Sequence, residues 1–193
     1  AGKTYTGSHA IVELMRRGFR VGVTSNSHKA INNLLRAVEE VAEEHSFRFV
    51  GAKKYTKEED RLNGIMISDE RSNEAMELGN CQLLAGTVWL FSRESHDREL
   101  DFLFIDEAGQ VSLANVIAMG TSARNIVLLG DQMQLGQPIQ GVHPGESGKS
   151  SLEYLLQDQA TVAPDRGIFL GTTWRMHPDV CAFISDAVYD SRL

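Results

Sequence analysis

Short, branched apolar runs alternate with helical periods along this chain, and that alternation predicts a three-layer α/β domain built on a parallel sheet. Two further observations agree with it. The triplet Gly2-Lys3-Thr4 opens the first helical segment, and the apolar run Phe102-Leu103-Phe104-Ile105 ends at once on Asp106-Glu107. Open α/β sheets bind ligands outside the carboxyl ends of their strands, so a strand that ends in two carboxylates delivers them to that edge.

The elements follow in order. Strands are predicted at residues 20–24, 47–50, 81–85, 102–105 and 125–129, each a run of apolar, mostly branched or aromatic residues. A helix over 6–17 sets Ala10, Leu14 and Arg17 on one side and stops at Gly18. A second, over 26–44, carries Ile31, Leu34, Leu35, Val38 and Val41 at helical spacing. Residues 50–80 are polar with weak periodicity and read as an insertion or a small helical lobe. A Gly- and Ser-rich loop at 141–151 precedes a short helix over 151–156, and Ala163-Pro164-Asp165-Arg166-Gly167 reads as a linker. Ile168-Phe169-Leu170 then reads as a strand and 178–189 as a helix. The predicted division is one domain over 1–165 and the opening of a second over 166–193.

Composition excludes several classes. The 193 residues, 42% hydrophobic and 23% charged, suit a globular core, and no apolar run approaches the roughly 18 residues of a membrane span. Cys81 and Cys181 lack any C-x-x-C spacing and are expected as free, buried thiols in a reducing, cytoplasmic setting. A net charge of -7 argues against a uniformly basic nucleic-acid surface. The acidic runs Glu39, Glu40, Glu43, Glu44 and Glu58, Glu59, Asp60 are expected as solvated faces.

Four segments carry chemistry. Gly2-Lys3-Thr4-Tyr5 matches the back half of the phosphate loop G-x-x-x-x-G-K-[ST], so the chain is expected to be a piece of a longer protein. Lys3 is expected to neutralise the β- and γ-phosphates of ATP, and Thr4 to share Mg²⁺ with Asp106. Glu107 is the expected base for the attacking water. After the run Ile126-Val127-Leu128-Leu129, the stretch Gly130-Asp131-Gln132-Met133-Gln134 offers the Gln134 amide to a γ-phosphate or to that water. In Trp174-Arg175-Met176-His177-Pro178, Arg175 is the expected arginine finger and Trp174 the stacking partner of a base. Each segment also has a plain structural reading: an exposed turn, a strand ending in solvent, an amide capping a loop, a helix start beside a core Trp. Gly145-Glu146-Ser147-Gly148-Lys149-Ser150 resembles a second phosphate loop, but His143 stands where its first glycine belongs and no strand leads into it. His143, His177 and Cys181 lack the paired spacing of a metal site.

These segments, with Thr24-Ser25-Asn26-Ser27-His28-Lys29-Ala30, occur in the order of superfamily 1 helicases. The chain most resembles branch 1B, which includes the nonsense-mediated-decay RNA helicase and the Okazaki-fragment nuclease-helicase, and is similar to the helicase half of RecB-like nuclease-helicases. The resemblance implies two RecA-like domains with ATP between them, bound here through Gly2, Lys3, Thr4, Tyr5, Asp106, Gln134, Trp174 and Arg175. It implies that Ser25, Asn26 and Thr87 touch the backbone of a single nucleic-acid strand, DNA being favoured over RNA, and it leaves open whether a nuclease is fused or associated. Ser25 and Asn26 also read as a cap for the helix that follows. Trp174 stands where the family usually has Tyr, and Gln137 interrupts a Gly-Pro step. The expected activity is ATP-dependent translocation or unwinding by the parent protein, with residues 1–193 inactive alone. A nucleotide-gated clamp that never separates strands is the competing reading; a small-molecule kinase is disfavoured by the Asp106-Glu107 pair.

Overall fold

The computed structural model describes residues 2–76, 79–134, 136, 144–157, 159–174 and 176–193. The chain runs α1 (Lys3–Arg16), β1 (Val21–Thr24), α2 (His28–Glu44), β2 (Gly51–Lys54), β3 (Ile67–Glu70), β4 (Leu83–Ala85), α3 (Val88–Phe91), β5 (Leu100–Asp106), α4 (Leu113–Gly120), β6 (Ala123–Leu129), α5 (Ser151–Leu156) and α6 (Pro178–Val188). The six strands form one sheet in the order β3-β2-β4-β1-β5-β6, and every pairing is parallel. Val23 sits opposite both Ala85 and Phe104, and Asp106 opposite Leu129, so the carboxyl ends of four strands share one edge.

The two-residue period of the strands sorts side chains onto two faces. Val21, Val23, Leu83, Ala85 and Phe104 pack with Ile11, Val12 and Met15 of α1 and with Ile31, Leu34, Leu35 and Val38 of α2. Leu84, Leu103 and Ile105 pack on the other side with Phe91 of α3 and Met119 of α4. Both faces are covered, which gives the three-layer α/β architecture predicted from the sequence.

Several elements differ from expectation. The buried face of α1 is Ile11, Val12 and Met15; Arg17 is exposed, and Ala10 and Leu14 are half-buried. Helix α2 begins at His28, because Ser27 is extended (φ -134°) and its hydroxyl accepts the Ala30 N–H at 3.2 Å; Ser25 and Asn26 are not its cap. Residues 47–50 form no strand. The chain leaves α2 through Ser46 at φ 51°, Phe47 N–H returns to the Ala42 carbonyl at 2.8 Å, and the sheet ladder starts only at Gly51.

The polar stretch 50–80 is no separate lobe, for it supplies β2 and β3. Its polarity is neutralised internally. Lys53 is fully buried, its ammonium 4.0 Å from Asp69 and hydrogen-bonded to the Asp60 carbonyl, while burial pulls its pKa down against those partners. Asp69 in turn accepts the N–H groups of Leu62 and Asn63 at 2.9 and 2.8 Å. Glu39 is likewise not simply solvated: one carboxylate oxygen accepts the N–H groups of Ile65, Met66 and Ile67, at 2.9, 2.7 and 3.1 Å, at the entry to β3. Residues 168–170 are irregular rather than a strand, and Cys81 and Cys181 are free thiols, half-buried rather than buried.

Candidate active site

Helix α1 starts from Gly2 in the left-handed region (φ 81°), a conformation that favours glycine, and no side chain caps it. Its first amides are therefore left to an outside partner, with the positive end of the helix dipole behind them. Gly7 shows how close this turn lies to the sheet: a Cβ there would meet Leu129 Cδ1 at 2.6 Å, at the end of β6. From this position Lys3 Nζ reaches to 3.9 Å from Glu107 Oε2.

Asp106 ends β5 with 7% of its surface exposed, and its Oδ1 accepts the Glu107 N–H at 3.0 Å. Glu107 itself is left-handed (φ 52°, ψ 42°), a strained turn for a residue with a side chain, costing about 1 kcal/mol. Burial raises the Asp106 pKa, and the neighbouring Glu107 charge adds to the rise. The Glu107 N–H and the Lys3 ammonium oppose it. The sign for stability follows. A carboxyl raised in the folded state favours folding most below its unfolded pKa, about 3.9, and that contribution is lost as pH rises through the folded value. Asp106→Asn is therefore expected to raise the melting temperature at neutral pH, with the gain shrinking as pH falls below about 4. Melting curves at the two pH values check it.

The loop after β6 is pressed against the loop after β5. A Cβ on Gly109 would lie 2.5 Å from the Asp131 carbonyl, and one on Gly130 would lie 2.9 Å from the Gly109 nitrogen. Both positions need glycine for this backbone contact. The Asp131 carboxylate beyond it accepts the Met133 N–H at 3.0 Å, the Gln134 side-chain N–H at 3.2 Å and the Tyr189 hydroxyl at 2.7 Å. Gln134, Lys3, Asp106 and Glu107 thus belong to one edge of the sheet, on the adjoining ends of α1, β5 and β6.

Of the remaining expected residues, Ser25, Asn26 and Thr87 lie at the β1 and β4 ends of that edge. Ser25 follows β1 with a buried hydroxyl, and the Asn26 side chain donates to the Gln110 carbonyl. Thr24 Oγ1, Ser25 Oγ, His28 Nδ1 and Asn32 Oδ1 are buried polar atoms without a hydrogen-bond partner among the described residues. Thr87 is half-buried at the start of α3 and makes no capping hydrogen bond there. Two residues on, Trp89 is 84% exposed, a position that sequence reasoning passed over and that the apolar Thr-Val-Trp-Leu-Phe run conceals. Tyr189 was also passed over, because nothing in the sequence links it to Asp131. Trp174 is 87% exposed; Arg175 lies outside the described residues, as do Leu135 and residues 137–143. The second loop-like stretch is a helix cap: Ser150 and Glu153 exchange hydrogen bonds at the start of α5, and Lys149 pairs with Glu146 at 2.7 Å.

Among the described residues no three His, Cys, Asp or Glu side chains gather to hold a metal by themselves. Mg²⁺ carried with a nucleotide asks less of the protein, one or two oxygen donors besides phosphate and water. Asp106 fits that demand, since the structure gives its buried carboxylate one hydrogen bond, to Oδ1.

Residues 23–138 match the family model described as AAA domain. The chain is 28% identical over 195 residues to the DNA replication ATP-dependent helicase/nuclease JHS1 of Arabidopsis thaliana, covering 100% of itself and 14% of that protein. It is 31% identical over 102 residues to the DNA polymerase alpha-associated DNA helicase A of Schizosaccharomyces pombe, covering 53% of itself and 14% of the relative. Among solved structures, an arterivirus nonstructural protein 10 helicase bound to DNA aligns with a TM-score of 0.46 at 13% identity, over 74% of this chain and 29% of that one. The chain thus spans about a seventh of the length of these curated relatives. Because the family model takes in well over half of its residues, the chain belongs to the AAA domain family, within the superfamily 1 helicases.

Proposed function

We propose that this chain carries the ATP-binding half of a motor that moves along single-stranded nucleic acid, with DNA as the favoured track and residues 166–193 opening a second domain. One observation supports this most directly: Lys3 and Glu107 meet at 3.9 Å beside the buried Asp106. An incoming triphosphate offers Lys3 a stronger anionic partner, aided by the exposed amides of α1. That exchange releases Glu107 to take a proton from the attacking water, while the Gln134 amide orients the water. Thr4 and Asp106 would hold Mg²⁺, which supplies charge neutralisation across the β- and γ-phosphates. Tyr5 flanks the phosphate loop, Trp174 stacks on the base, and Arg175 completes the charge on the transferring phosphate.

Ser25, Asn26 and Thr87 are proposed to track the strand backbone, at the β1 and β4 ends of the same edge. DNA is favoured because the relatives' names specify DNA replication and DNA helicase, and the helicase/nuclease name supports a nuclease within the parent protein. No helix among the described residues is long and apolar enough to cross a membrane.

The test is ATP hydrolysis by the intact protein with and without single-stranded DNA. Stimulation by the strand is expected, and a rate indifferent to nucleic acid would end the reading. Displacement of a labelled strand from a duplex by the same preparation separates a motor from a nucleotide-gated clamp.

A further inference from the structure

We infer that Tyr189 is a positioning residue for the Gln134 amide, acting through the Asp131 carboxylate, and that it ties helix α6 to the hydrolysis site. The inference rests on the proposed role of Gln134. The two partners, Tyr189 and Asp131, are 58 residues apart in sequence and their side chains meet at 2.7 Å. Gln134 is exposed, and among the described residues its side chain bonds Asp131 Oδ2, at 3.2 Å. An exposed glutamine is ordered only as well as its anchor, because about 2 kcal/mol of rotamer freedom opposes any single pose. A carboxylate accepts and cannot donate, so the amide must turn its NH₂ toward Asp131. Gln134 Oε1 is thereby left as the end that can accept a hydrogen bond from water.

What holds the anchor is the phenol. Tyr189 Oη and Gln134 Nε2 share Asp131 Oδ2, while Oδ1 takes the Met133 N–H, so three donors fix the carboxylate. The Tyr189 ring is itself braced against Phe169, centroids 6.2 Å apart, and its backbone N–H bonds the Ser185 carbonyl. Burial, with the Asp131 hydrogen bond and charge, pushes the phenol up to about 12, so it stays a donor at any working pH. Displacement of α6 away from Asp131 would withdraw that donor and loosen Gln134, which links the placement of α6 to turnover.

Tyr189→Phe removes the hydroxyl and keeps the ring. In the intact protein with saturating oligo-dT, kcat for ATP is expected to fall about tenfold, the scale of one lost hydrogen bond to a charged group, with KM unchanged within about twofold. In a Gln134→Ala background the same change is expected to cost nothing more, because the group being positioned is gone. A merely structural tyrosine would lower turnover in both backgrounds alike. A Tyr189→Phe kcat within about twofold of wild type, or losses that multiply, overturns the assignment while a crippled Gln134→Ala leaves the parent reading standing. A Gln134→Ala protein with wild-type turnover would bring down both.

Discussion

Lys3→Ala in the intact protein is expected to remove ATP binding and turnover, on the order of 10² to 10³-fold, the scale of truncating one member of a desolvated charge pair. The magnitude comes from what Lys3 would face. It is the cation found within reach of Glu107, at 3.9 Å, and it sits in the first turn of α1, where it and the unpaired amides meet the same anion. Without the ammonium, a triphosphate would approach the Asp106-Glu107 pair with the helix amides as the positive end of α1 and no side-chain cation beside them at Glu107. The fold should not suffer. The Lys3–Glu107 pair is partly open to solvent (21% and 37% exposed), and such pairs contribute about 1 kcal/mol or less. Lys3→Arg is expected to restore little, since a planar guanidinium does not replace a compact ammonium in a phosphate cradle. Titration with a fluorescent ATP analogue, beside a thermal melt, reads both arms. Wild-type nucleotide affinity in a folded Lys3→Ala protein would remove the lysine from the site.

The sheet's centre was legible because β1, β4 and β5 are buried on both faces, and burial of that kind writes itself as continuous apolar runs; β6, an edge strand only half-buried, was legible from the run Ile126-Val127-Leu128-Leu129. Its far edge was not. β2 and β3 present Lys53, Lys54, Asp69 and Glu70, which read as an insertion or a small helical lobe because sequence carries no sign that Lys53 and Asp69 neutralise each other inside the fold. Glu39 misled for the same reason, its carboxylate bonding three backbone amides 26 to 28 residues away. In the other direction, Phe47 and Phe49 have a strand's period, yet Ser46 turns the chain there and only Phe49 is buried.

At the candidate site, spacing foretold that Asp106 and Glu107 leave the sheet at its carboxyl edge, since a strand ending on two acids has no other place for them. What spacing could not supply is how differently the two sit. The left-handed turn at Glu107 leaves Asp106 buried and raised in pKa while the next carboxylate turns to Lys3. Contacts between distant segments were the least legible: Asp131 with Tyr189, Asn26 with Gln110, and the glycine-to-backbone seam at Gly109 and Gly130. None of these leaves a period or a motif.

The same turn sets the second large effect, in Glu107→Gln. The substitution keeps the side chain's size and the N–H that serves Asp106, and it removes the one group able to accept the water's proton. Turnover is expected to fall about 10² to 10⁴-fold, the range attributed to a positioned general base. ATP binding is expected to hold or tighten, for two electrostatic reasons. Lys3 loses its partner at 3.9 Å and becomes available to phosphate, and one negative charge leaves the neighbourhood of the triphosphate. Asp106 responds as well: the Glu107 charge is one of the causes that raise its carboxyl, so its loss eases Asp106 toward ionisation and toward holding a cation. The two variants therefore separate binding from chemistry, Lys3→Ala failing to retain nucleotide and Glu107→Gln retaining it without cleaving it. Filter retention of labelled ATP with a single-turnover time course measures both steps on one sample. Rapid cleavage by Glu107→Gln would mean that the water loses its proton elsewhere, and would remove Glu107 as the base.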